Sequence, residues 1–225
     1  MSIIIPVLNE AEIIQKTLTN IKSSVDVEIL VIDGGSCDNT VGLVRQMGIK
    51  VFVSPSSGRA NQMNFGASVA QGEILLFLHA DTLLPKDYFT TARQILAQPE
   101  TIAGAFFLKI DGKEKGLRLM EKLVNWRSQF FSLPYGDQAI FLKKTVFQKI
   151  GGFPDLPIME DFQLMLNLRK LGKIRMAPSS VITSARRWQK LGIFRTTLIN
   201  QLIIIGYFLK VSPTKLKRLY NLFPK

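Results

Sequence analysis

Four apolar runs, separated by stretches of helix length, dominate the first hundred residues. They are SIIIPVL, VEILVID, IKVFVS and EILLFLHAD, rich in Ile, Val and Leu with little alternation of polar positions. Such runs fit strands buried on both faces. The intervening segments carry helix signals. NEAEIIQKTLTNIKSS has apolar residues at Ile13, Ile14, Leu18 and Ile21, with Asn9 or Glu10 placed to start the helix. TVGLVRQMG ends at Gly48, GRANQMNFGASVAQG has small residues on one side for close packing, and PKDYFTTARQILAQ has proline in its first turn. Strand, helix and strand in this order require parallel pairing through right-handed crossovers. The expected fold is therefore α/β, with a mostly parallel central sheet flanked by helices and a helical C-terminal tail.

The second half is less regular. TIAGAFFLKI reads as a strand, residues 113–131 as a helix, and YGDQAIFLKK as a short strand after a turn. MEDFQLMLNLRKLG predicts an amphipathic helix with Glu160 and Asp161 in its first turn and Gly172 at its stop. Ile193–Phe208 predicts an apolar helix and PTKLKRLYNLF a basic amphipathic one. The expected organisation is one domain over residues 1–190 and a tail over 191–225.

In open α/β sheets, ligands bind beyond the carboxyl ends of the strands. Asn9, Glu10, Asp33 and Asp81 fall at those ends. Charge adds a second constraint. Residues 1–100 hold 7 basic and 10 acidic side chains, whereas Phe162 to Lys225 holds 13 basic and no acidic ones. That asymmetry points to an anionic partner (a phosphorylated substrate, a membrane surface or a nucleic acid) or to a solvated basic face. The single cysteine, Cys37, excludes an intrachain disulfide and a multi-cysteine zinc site. Met1 leads directly into the first strand without a basic n-region, and the run Leu202–Leu209 is too short to span a bilayer. A cytoplasmic location is expected, with peripheral contact at the inner face of the membrane through the tail.

The ordered set SIIIPVLNE, ILVIDGGSCDNT, GRANQMNFGASVAQGEILLFLHADT, YGDQAIF, MEDF and SARRW resembles family 2 glycosyltransferases of the GT-A fold, over residues 2–190. The match is to a small, single-domain branch. The resemblance implies inverting transfer of a sugar from a nucleotide-diphosphate sugar, with uridine as the default base, to an acceptor hydroxyl. It also implies a divalent cation, Mn²⁺ or Mg²⁺. Residues 1–100 would bind the donor and residues 101–190 the acceptor.

Carried onto this chain, the resemblance makes Asp81 the last residue of the family's Asp-x-Asp motif and so the metal ligand. A hard cation shared with a diphosphate suits a carboxylate there. The motif's first aspartate is replaced by His79, the only histidine. His79 is open to three readings: a ribose contact, a second metal ligand, or a histidine satisfied by a core carbonyl. Asp33 would contact base or ribose, or else serve as a turn residue before Gly34 and Gly35. The second aspartate that often follows in the family is Gly34 here. Pro6, Asn9 and Glu10 lie where the family places the nucleotide.

Arg59 opens its helix, where a cation opposes the dipole; that unfavourable position favours a phosphate or base contact. Inverting transfer needs a general base. The family's Glu-Asp pair selects Asp161 for that role, with Glu160 as helper. Asp137 and Gln138 form a second polar cluster at the acceptor or donor-sugar pocket. Arg186, Arg187 and Trp188 resemble the family's arginine–tryptophan motif, without its usual leading glutamine. The arginines would hold the diphosphate and Trp188 would stack on sugar or acceptor. The apolar and basic residues of 193–223 suit an interfacial helix pair and a lipid-linked acceptor, or a tail packed on the domain.

Two other classes compete. A sugar nucleotidyltransferase needs a glycine-rich loop with a basic residue after the first strand, and PVLNEAE offers neither. A basic nucleic-acid binder would account for the charge, but the chain lacks an aromatic stacking platform or a nucleic-acid motif. No nucleic acid is expected as a partner.

Overall fold

A computed structural model describes residues 1–21 and 26–222. Four strands open the chain: β1 (Ser2–Val7), β2 (Glu28–Asp33), β3 (Lys50–Val53) and β4 (Ile74–Phe77). The helices between them are α1 (Ile14–Asn20), α2 (Thr40–Gln46) and α3 (Arg59–Val69). All four strands pair in parallel, in the order β3-β2-β1-β4. Every residue of β1 is buried, because helices cover both faces of the sheet. Each fully buried isoleucine of the run Ile3–Ile5 contributes about 2 kcal/mol of transfer free energy.

The second half extends the same sheet. β5 (Thr82–Leu83), α4 (Tyr88–Leu96), β6 (Thr101–Asp111), α5 (Lys115–Phe131), β7 (Phe141–Lys143), α6 (Lys144–Lys149), α7 (Glu160–Arg169) and β8 (Lys173–Ser184) follow in turn. The full strand order is β3-β2-β1-β4-β7-β6-β8-β5. β7 is antiparallel to both β4 and β6, and β5 is antiparallel to β8, whereas β6 and β8 run parallel. The sheet is thus mixed around a parallel half.

One helix starts later than expected. Asn9 adopts a left-handed φ of 55°, which bends the chain away from β1 and delays α1 to Ile14. That helix was also expected to reach Ser24; it stops at Asn20, and residues 22–25 lie outside the described residues. α3 behaves as its small residues predict: Ala60, Gly66 and Ala67 are buried against the sheet. β8 was not expected. Its sequence KIRMAPSSVITS is interrupted by Pro178, Ser179 and Ser180, and the β6–β8 register shifts between Phe106 and Phe107 to pass them.

Three more helices end the chain: α8 (Arg186–Leu191), α9 (Ile193–Phe208) and α10 (Pro213–Asn221). Ile199 and Ile203 of α9 and Leu216 of α10 form a third core cluster with Met159 and Phe162 at the start of α7. The tail therefore packs on the domain. No helix among the described residues is long and apolar enough to cross a membrane.

Candidate active site

A cleft of about 1500 Å³ opens at the carboxyl ends of β1 and β4. Its walls come from the loop after β1, the start of α3, the His79–Asp81 segment, the turn before β7, the start of α7, and helices α8 to α10. The volume exceeds that of a pocket for one drug-sized ligand. It has room for a large donor and an acceptor together.

Asp161 and His79 both approach Gly136. The Gly136 N–H donates to Asp161 Oδ2 at 2.7 Å, and the Phe162 N–H donates to Asp161 Oδ1 at 2.7 Å. Two backbone donors thus fix the Asp161 carboxylate in one orientation. A Cβ on Gly136 would lie 2.8 Å from His79 Nε2 and 3.1 Å from Asp161 Oδ2. Only glycine lets imidazole and carboxylate approach the same point. His79 is half-buried and lines the cleft. Asp137 lines it too, and its Oδ1 is buried without a hydrogen-bond partner. Burial, together with the nearby Asp161 and Asp81 charges, pushes its carboxyl up to about 6, against the pull of Arg127 and Arg59.

In the same cleft, one Arg186 amino group bridges Glu10 Oε2 at 2.7 Å and Asp81 Oδ2 at 3.2 Å. Arg187, also in the cleft lining, stacks on Tyr220. Its guanidinium carbon sits 3.7 Å above the Tyr220 ring, and none of its three buried nitrogens has a hydrogen-bond partner. Burial pushes this guanidinium down from its ordinary pKa. Trp188, at the first turn of α8, packs against the main core and also lines the cleft.

Arg59 and Glu160, expected to work separately, form one ion pair: Arg59 Nε donates to Glu160 Oε1 at 2.5 Å. Glu160 is 2% exposed, so its charge is committed to holding Arg59 in place at the cleft wall. Pro6, Asn9 and Glu10 all line the cleft. Asn9 also ties the loop after β1 to the loop after β2: its N–H donates to Ser36 Oγ, and its Oδ1 accepts from the Cys37 N–H.

Two expected contacts face elsewhere. Asp33 is 2% exposed, and its oxygens accept from Gly35 N–H, Ser36 N–H and Ser36 Oγ–H. Its carboxylate closes the loop, as its turn reading predicts. Gln138 is wholly buried; it accepts from Ser128 Oγ–H and donates to the Phe106 carbonyl. It secures the 3-10 turn Gly136–Gln138 that presents Asp137.

Several residues that shape the cleft carry no local sequence signal. Gln62 donates to the carbonyls of both Val7 and Ile32, clamping the ends of β1 and β2. A Cβ at position 34 would stand 3.0 Å from the Gln62 amide, which is why Gly34 suits this site. Tyr220 and Lys217 reach the cleft from α10.

Among the described residues, no three His, Cys, Asp or Glu side chains converge into a ready-made metal centre. A cation shared with a diphosphate needs fewer: one or two carboxylates, the rest of its oxygens coming from phosphate and water. Asp81, with the unpartnered Asp137 Oδ1 close enough to feel its charge, fits that requirement.

A mixed α/β sheet with this cleft at its strand ends defines the GT-A class of fold. Residues 1–349 of TarS from S. aureus superpose with a TM-score of 0.66 at 17% identity, covering 90% of this chain and 64% of that one. The mannosyltransferase PcManGT of Pyrobaculum calidifontis, in complex with GDP-Man and Mn²⁺, gives 0.65 at 21% identity, covering 88% and 63%. Family assignment comes from sequence: the pattern of glycosyl transferase family 2 matches residues 2–153, and the chain belongs to that family. An uncharacterised glycosyltransferase of Rickettsia felis is 37% identical over 79 residues, 35% of this chain and 28% of that protein. The probable glycosyltransferase YdaM of Bacillus subtilis is 23% identical over 99% of this chain and 60% of its own length. The chain thus spans less than two thirds of these curated relatives.

Proposed function

We propose that the chain transfers a sugar from a nucleotide-diphosphate sugar to an acceptor hydroxyl, with inversion at the anomeric carbon. The observation that carries this reading is that Asp161, held by two backbone donors, and Arg186 line one cleft at the strand ends. The acceptor oxygen attacks the anomeric carbon on one face, and the bond to the nucleotide diphosphate breaks on the other. Asp161 takes the hydroxyl proton, oriented by its two backbone donors. Arg186 and Arg187 offset the charge that builds on the departing diphosphate. Asp81, assisted by Asp137, would hold a Mn²⁺ or Mg²⁺ ion, which supplies further electrostatic stabilisation to the leaving group when bound. Arg59, fixed by Glu160, faces the donor, and Trp188 offers a stacking surface.

The donor half is residues 1–100 and the acceptor half residues 101–190. Solved structures of the same fold hold UDP-GlcNAc in TarS and GDP-Man in PcManGT. Uridine is the base favoured for this chain, on the strength of the family resemblance. Ile203 and Ile204 of α9 line the cleft, and an apolar wall there suits a lipid-like acceptor.

The test is thermal stabilisation by UDP- and GDP-sugars with and without Mn²⁺. A ligand at about 100 times its Kd adds about 2.7 kcal/mol, a rise of roughly 5–10 °C for a chain of this size. Chelation with EDTA is expected to remove most of that rise. If no nucleotide sugar raises Tm with either metal, the reading fails.

His79→Ala separates the ribose and metal roles of the imidazole from a structural one. Nucleotide-sugar affinity is expected to fall about ten-fold, the equivalent of one good polar contact, with Tm nearly unchanged. Unchanged affinity at a lower Tm would make His79 a packing residue.

A further inference from the structure

The outer faces of α5 and α9 form one apolar surface, and we infer that it seats the protein on an anionic lipid bilayer. This surface is separate from the cleft and does not depend on which sugar or acceptor is used. α5 exposes Leu119, Leu123, Trp126 and Phe130, spaced by four, three and four residues along one stripe. α9 exposes Phe194, Leu198, Leu202, Ile205 and Phe208 in the same way, with Phe194 83% exposed.

The two stripes join. Ile193 of α9 lies against Gly116 of α5, where a Cβ would be 2.9 Å from its Cδ1, and Thr197 Oγ1 donates to Met120 Sδ. The contact advances by one turn on both helices, so they run parallel and side by side. Both turn their buried residues inward: Leu117, Glu121 and Ser128 of α5, and Thr196, Ile199 and Ile203 of α9. Their exposed stripes therefore face the same way. Trp126 contacts both Phe130 and Phe131 edge to face or tilted, an aromatic cluster at the end of α5.

Scattered exposed apolar residues are ordinary, but a continuous face of this kind marks an interaction surface. Charge selects the occupant. Exposed Lys115, Lys122, Lys190 and Arg195 lie on α5, α8 and α9 beside the stripes, and Lys210 and Lys215 follow α9. No acidic residue occurs after Asp161. A second copy of the chain meeting this face would bring two basic rims together. An anionic bilayer instead accepts the rim in its headgroups and the Trp, Phe and Leu side chains at the acyl boundary. Two helices of this length lying flat match an interfacial mode and not a spanning one.

The experiment is co-sedimentation of the full chain with phosphatidylcholine vesicles and with vesicles containing phosphatidylglycerol. Trp126 serves as the reporter, in a Trp188→Phe background. Binding to the anionic vesicles is expected, weakened by salt, with a blue shift of Trp126 emission. Phe194→Ser combined with Leu123→Ser is expected to lower the bound fraction about ten-fold or more. Both positions are exposed, so folding should survive, and circular dichroism checks that. Absence of binding to anionic vesicles at low salt overturns the inference. So does binding that leaves Trp126 emission unmoved. A vesicle-free dimer in sedimentation velocity, abolished by the same double substitution, would assign the face to a second copy and overturn it as well.

Discussion

Asp161→Asn is expected to lower sugar transfer by about 10³-fold while nucleotide-sugar affinity stays within about two-fold. The magnitude is that of a lost general base. The substitution keeps shape and removes the proton acceptor. Asparagine can still accept one of the two N–H bonds now received from Gly136 and Phe162; losing the other should cost about 1 kcal/mol of stability. Initial rates and titration calorimetry on the same variant separate the two effects. An equal loss of rate and affinity would make Asp161 a binding residue and leave the base to be found elsewhere.

The second large effect concerns Asp137 and runs with pH. Its carboxyl is pushed up to about 6 from 3.8, by burial first and then by Asp161 and Asp81. A carboxyl raised in the folded state binds its proton more tightly there than in the unfolded chain. Its charge therefore costs nothing below about pH 3.8, costs progressively more as pH rises, and costs its full amount above about pH 6. Asp137→Asn removes that cost. The variant is expected to be more stable than the parent at pH 8, by about 1–3 kcal/mol, and equal to it near pH 4. Transfer activity should drop at the same time, because the negative charge of the carboxylate is lost from the cleft. A melting series from pH 4 to 8 checks the sign. A variant less stable at pH 8 would mean that Asp137 has a native partner which offsets its burial.

How far the sequence carries this picture depends on the range of the interactions. β1 to β4, α3 and α5 follow from local pattern, because strands buried on both faces must be apolar throughout. β8 escapes that logic. Its burial comes from lying beside β6, while Pro178 and the two serines break its pattern, and only the register shift accommodates them. The site divides in the same way. Asp81, Asp161 and Arg186 could be placed from motifs near strand and helix ends. That Arg59 and Glu160 are one ion pair could not, since 101 residues separate them. Asp33 illustrates the opposite case: two readings were open, and the structure shows its carboxylate hydrogen-bonded into the loop after β2. Tyr220 carries no motif at all; its place beside Arg187 exists only once the tail has packed.

The bridge from Arg186 to Glu10 spans 176 residues, and the stacking of Arg187 on Tyr220 recruits the last helix. During synthesis the parallel half can gather early, because its strands are close neighbours along the chain. The cleft cannot. Glu10 and Asp81 stand without their counter-charge until Arg186, 105 residues after Asp81, has been made. The cleft wall is thus assembled from contacts between distant parts of the chain, whereas the parallel half of the sheet is available well before.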